Sequence, residues 1–120
     1  NSSMVEIMHP ATGKKTDAII EVYGIETKEY RSAHTDFVIA SMTSRSIDDK
    51  DKKTEAIEKA AVIFIAKITK SWDGLTNGGK EYECTFANAV KLYTDARYIF
   101  EQIDKHMNNR GNFYKEQKTA

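Results

Sequence analysis

The chain has little of what usually announces a function. It has one cysteine, Cys84, so no internal disulfide can form and the fold does not depend on an oxidising compartment. It has one proline, Pro10, so helices are free to run through most of its length. No apolar stretch approaches the roughly 18 residues of a membrane span, and no signal peptide is visible, which sets aside the membrane and points to the cytosol. Neither sign of charge dominates: 18 Lys and Arg balance 18 Asp and Glu. A zero net charge argues against a nucleic-acid protein held by phosphate neutralisation, and it lowers the long-range repulsion that opposes self-association. No internal repeat stands out.

What remains is an ordinary globular composition, 40% hydrophobic and 30% charged over 120 residues, enough for one modest core. Val5-Glu6-Ile7-Met8-His9 alternates apolar and polar, a Pro10-Ala11-Thr12-Gly13 turn follows, and Ala18-Ile19-Ile20-Glu21-Val22-Tyr23 returns. This predicts a β-hairpin over 4–24. Thr27 caps a predicted helix from Lys28 to Arg45, with Tyr30, Ala33, His34, Phe37, Val38 and Ser41 at helical spacing. The charged run from Ser46 to Lys53 reads as a solvated connection. A second helix is predicted from about Thr54, with Ile57, Ala60, Ala61, Phe64, Ile65, Ile68 and Trp72 on one stripe and a stop near Gly74. Thr85 caps a short helix carrying Phe86, Ala89, Val90 and Tyr93. Thr94 or Asp95 caps a last helix carrying Ala96, Ile99, Phe100, Ile103 and Met107, and Gly111 ends it. The expected fold is mainly α within the α+β class, a small N-terminal hairpin on a bundle of about four helices. Residues 4–113 form one domain with its helical part at 27–111, residues 1–3 are an expression remnant, and residues 114–120 are a flexible tail.

Candidate chemistry is sparse. Gly74-Leu75-Thr76-Asn77-Gly78-Gly79-Lys80 has phosphate-loop spacing, but Glu81 stands where Ser or Thr should reach magnesium, and the segment follows a helix rather than a strand. It reads as a turn. His9, His34 and His106 are scattered without a second ligand at metal spacing. Cys84 has no spaced partner and reads as a small buried residue, and Asp48-Asp49-Lys50-Asp51 lacks the glycine and closing glutamate of a calcium loop. No catalytic, cofactor or metal residue is assigned, and nothing argues for an enzyme. The feature above background is Ala60-Ala61-Val62-Ile63-Phe64-Ile65-Ala66, apolar nearly all round. Such a helix needs neighbours on every side. Two readings stay open: a central core helix sandwiched by the hairpin and the other helices, or a helix with one face available to another copy or a client. Val62, Ile63 and Ala66, surplus to the core stripe, are where such a partner is to be sought.

Residues 71–113 carry a resemblance. Ser71-Trp72-Asp73-Gly74-Leu75, a glycine loop, Glu83-Cys84-Thr85-Phe86-Ala87-Asn88-Ala89, then an Ile/Phe-rich helix closing on Asn109-Arg110-Gly111-Asn112-Phe113, resemble tail assembly chaperones of long-tailed bacteriophages and prophages. Met8-His9-Pro10-Ala11-Thr12-Gly13 and Glu29-Tyr30-Arg31 are similar to the opening of small phage proteins of this group. The resemblance implies a protein of the host cell cytoplasm that binds the tape measure protein, assists assembly of the tail tube protein around it, and leaves before the tail is finished. It implies no catalytic residue. Helix-in-groove contact suits such a client, so Val62, Ile63, Phe64, Ala66, Trp72 and Phe113 are the candidate protein-binding residues, with self-association expected. A structural tail completion or minor tail protein of the virion, or a small adaptor or regulator, are the other readings.

Overall fold

Strand alternation builds the N-terminus as expected and extends it. In the computed structural model, which describes the backbone of residues 1–119 and side chains through residue 109, β1 (Ser2–Met8) pairs antiparallel with β2 (Lys15–Tyr23). Val5, Ile7, Ala18, Ile20 and Val22 are buried, so every second side chain enters the core. Ser2 and Ser3, expected outside the domain, are paired residues of β1, and the Asn1 carbonyl accepts from the Gly24 N–H at 3.0 Å.

The sheet has a third strand that periodicity hides. The helix carrying the apolar run, α2, spans Lys50–Ile68 after α1 (Lys28–Ser44), and it stops at Thr69 rather than continuing to Trp72. Thr69 is extended, with ψ near 118°, and opens β3 (Thr69–Asp73), which pairs antiparallel with β2 so that Trp72 lies opposite Ile20. The order is β1-β2-β3. Gly74 ends β3 at φ +76°, where an added Cβ would sit 2.0 Å from the Asp17 carbonyl oxygen; only glycine fits this crossing. Glu21, in the middle strand, ties both neighbours: Ser2 Oγ and Ser71 Oγ donate to its two carboxylate oxygens, and Lys70 Nζ lies at 3.8 Å. Those hydroxyl donors, with the lysine, hold its carboxyl below the usual glutamate range.

Local caps set the helix starts. Thr27 Oγ1 accepts from the Tyr30 N–H at 3.1 Å, and Thr85 Oγ1 accepts from the Asn88 N–H at 3.1 Å, opening α1 and α3 (Phe86–Asp95). Asp49 accepts from the Lys52 N–H at 3.0 Å and starts α2 four residues ahead of Thr54, so half of the expected connection is helix. Between β3 and α3, β4 (Thr76–Asn77) and β5 (Lys80–Glu81) form a minimal hairpin. Gly78 and Gly79, at φ +62° and +80°, give its turn the conformation of a type I′ hairpin. Thr94 and Asp95 belong to the end of α3, with Ala96 at the bend before α4 (Arg97–Thr119). Gly111 does not stop α4, which continues through the residues expected as a tail. An interior glycine costs only about 1 kcal/mol, and Lys, Glu and Gln around it favour helix.

The protein is α+β, with four helices and the three-stranded sheet among its described residues. Its core joins the inner face of the sheet to Val62, Ile65, Ala66 and Ile68 of α2, Tyr93 of α3, and Ile99, Ile103 and Met107 of α4. Tyr93 is fully buried, which pushes its hydroxyl pKa up, and that hydroxyl pairs with Thr69 Oγ1 at 2.6 Å. Gln102 of α4 holds the end of β1: its Oε1 accepts from the Met8 N–H at 2.7 Å and its Nε2 donates to the Met8 carbonyl at 2.8 Å. Helix α1 lies at the edge of this arrangement, giving Ala33 to the core with Tyr30 packed beside it. It packs principally along α2 and buries only Ala33 and Ser44.

Candidate interaction surface

The apolar run 60–66 of α2 has cover on two sides. Of the two open readings for the run, the core one holds at Val62 and Ala66, which are 6% and 4% exposed. Ile57, expected in the core stripe, is exposed instead. Ala60, Ile65 and Ile68 of the expected stripe are buried as well, so the core side of α2 is shifted around the helix toward Val62 and Ala66 rather than reversed; with apolar residues on both sides, periodicity alone does not choose the one that meets the sheet. The other side meets α1. There Phe64 is the hub of a ring cluster, with centroids 5.5 Å from Tyr30 (edge-on), 5.5 Å from Phe37 and 6.1 Å from His34. Ile63 and Phe64 are half-buried beside a cleft of about 120 Å³ between α1 and α2, and Lys67 Nζ bonds Asp36 at 2.9 Å along it.

The six candidate residues therefore do not form one surface. Val62 and Ala66 are interior, and Ile63 and Phe64 lie against α1. Trp72 stacks on Tyr82 with centroids 5.6 Å apart, and its Nε1–H donates to the Tyr82 carbonyl at 2.6 Å, bracing the segment after β5 against β3. The side chain of Phe113 lies outside the described residues.

The exposed apolar surface has moved outward by one layer, onto α1. Val38, Ile39 and Met42 are 40%, 58% and 62% exposed. At roughly 100° per residue they project opposite Ala33, Phe37, Ala40 and Ser44, which face α2. No charged residue falls between Asp36 and Arg45, so the outer stripe is apolar or hydroxylic for two turns. Its borders on that side are the exposed cations Lys28, Arg31 and Arg45. Sequence reasoning missed this stripe by placing Val38 with the inward set and passing over Ile39 and Met42. The signal was present: α1, like α2, carries apolar residues on more than one face.

Other candidate groups are occupied or inert. The His9 ring Nδ1 accepts from the Ala11 N–H at 3.2 Å, His34 stacks on Tyr30, and His106 Nε2 bonds Ser3 Oγ at 2.9 Å. Cys84 is half-buried, and burial pushes its thiol pKa up, away from the thiolate a nucleophile requires. Among the described residues no three His, Cys, Asp or Glu side chains gather where a metal ion would fit. Nor is any helix there long and apolar enough to cross a membrane. No protein-family model, curated protein or solved structure matches this chain.

Proposed function

We propose that the chain is a tail assembly chaperone of a long-tailed bacteriophage or prophage, acting in the host cytoplasm on apolar helical segments of the tape measure protein. The observation that carries the binding part is the outer stripe of α1. Three adjacent large apolar side chains stand in water on a helix already packed on its other face. Singly exposed apolar residues need no explanation, whereas a contiguous stripe is the usual mark of a protein-binding surface. Met42 suits a client of varied sequence, because a flexible thioether repacks against many partners. An amphipathic client helix laid along α1 shields its own apolar face until tube subunits replace the chaperone. The short motifs at Trp72-Asp73-Gly74, Thr85-Phe86-Ala87-Asn88 and Arg110-Gly111-Asn112-Phe113 support the assignment to tails.

The test titrates fluorescent helical segments of a tape measure protein with the chain and with Met42→Glu. Binding should weaken at least tenfold in the variant, while stability changes by about 0.5 kcal/mol or less, as expected of an exposed site. Equal binding by both proteins removes the α1 stripe from the mechanism. Recovery of the chain in purified, finished tails overturns the chaperone reading in favour of a structural subunit.

A further inference from the structure

A second surface fits the first. Between α2 and α3 lies an open groove of about 360 Å³, floored by Val62 and Val90 and bordered by Glu55, Glu58 and Lys59 of α2 and Arg97 of α4; no α1 residue lines it. Asp51, Glu55, Glu58 and Val62 recur at steps of three and four, so they form one row along α2, three carboxylates leading to the apolar floor. The outer row of α1 has the opposite sign and the same spacing. Arg45 stands one turn beyond Met42, and Val38 and Ile39 lie one turn before it. Among the described residues neither Arg45 nor the three carboxylates has an ionic partner.

We infer that the α1 stripe of one copy docks head-to-tail into the α2–α3 groove of a second copy. Met42 enters over Val62 and Val90, which places Arg45 at Glu58 one turn away. Of the cations on the rim, Arg97 is held by Glu101 at 3.6 Å and lies over the Phe100 ring, and Lys59 is exposed, with a long flexible stem that lets its charge stay in water when the groove is filled. Pairing one α1 stripe with another is disfavoured, since Lys28, Arg31 and Arg45 would meet a surface bordered by the same cations. The contact joins two different patches, so it is heterologous and leaves a free stripe and a free groove at the ends of every assembly. Zero net charge lets copies approach. The inference rests on reading α1 as a protein-binding face, and it adds regulation: the groove covers the stripe until a client competes for it.

Sedimentation of the full chain over a concentration series should show open-ended growth, and a monomer at all concentrations overturns the inference. Met42→Glu removes the stripe, and the double variant Glu55→Lys with Glu58→Lys reverses the groove border; all three positions are exposed, and circular dichroism checks the fold. Each variant alone should remain monomeric where the parent associates. Mixed in equal amounts they should form one-to-one dimers, because one supplies an intact groove and the other an intact stripe. No dimer on mixing overturns the head-to-tail contact. The groove variant keeps α1 whole, so its binding of tape measure segments reports on the proposed function separately. Should Met42→Glu unfold, Ile39→Asp takes its place.

Discussion

Helix α2 has two apolar sides, and they are covered to different depths. On one, Val62, Ile65, Ala66 and Ile68 press into a wall made by the sheet, α3 and α4. On the other, Ala60, Ile63 and Phe64 meet a single helix, and a cleft of about 120 Å³ remains between them. The side chains are similar; what differs is how many elements converge on them. Several elements meeting at angles close a helix face. One helix laid along another covers a strip, and it brings an outer face of its own that must be polar or must find a partner. In α1 that outer face carries Val38, Ile39 and Met42. The apolar excess of α2 is thus satisfied by α1, and the need for cover passes to the surface.

The largest test of this contrast is Ile65→Ala, on the closed side. Removing a fully buried isoleucine should cost about 2–5 kcal/mol, with helix and sheet signals lost in one denaturant transition. Phe64→Ala, on the side covered by α1, should cost less, about 1–3 kcal/mol, since the ring is only half-buried and much of its worth lies in contacts with Tyr30 and Phe37. The loss should be local. Hydrogen exchange should speed up along α1 while the amides of β2 keep their protection. Uniform acceleration through α1 and β2 would show that the two sides unfold as one unit, and the distinction would be wrong. The smallest effect is a gain. Ser41 Oγ, on α1, is buried with no hydrogen-bond partner among the described residues, so Ser41→Ala should stabilise the protein by about 1 kcal/mol, read as a rise in the unfolding midpoint.

Locally encoded features were legible in the sequence. The β1–β2 hairpin follows from alternation, and Thr27 and Thr85 cap α1 and α3 where a threonine precedes a helical pattern. The need of α2 for neighbours all round was also legible. Features decided by distant partners were not. Thr69 to Asp73 keeps the helical spacing up to Trp72, and only pairing with β2, some fifty residues earlier in the case of Glu21 and Ser71, turns it into a strand. Asp49 stands in a charged run that reads as a connection, yet an aspartate before a helical stretch is a good cap, and the cap brings α2 forward to Lys50. The candidate site shifted for the same reason. Which apolar side of α2 faces the sheet is set by the sheet, α3 and α4 converging on Val62 and Ala66, and no local pattern records that. The α1 stripe is hidden in the same way, because α1 too carries apolar residues on both faces.

The Gln102 amide has a consequence for how the chain is made. It grips the backbone of Met8 from 94 residues further along, so the first strand emerges from the ribosome long before its fastener exists. At elongation rates of about 5–20 residues per second that interval is roughly 5 to 20 s. During it, the hairpin edge that α4 will guard is bare, and a bare strand edge invites pairing with other chains. The end of β1 is therefore fastened to α4 only after synthesis has passed Gln102, well after the hairpin itself can pair.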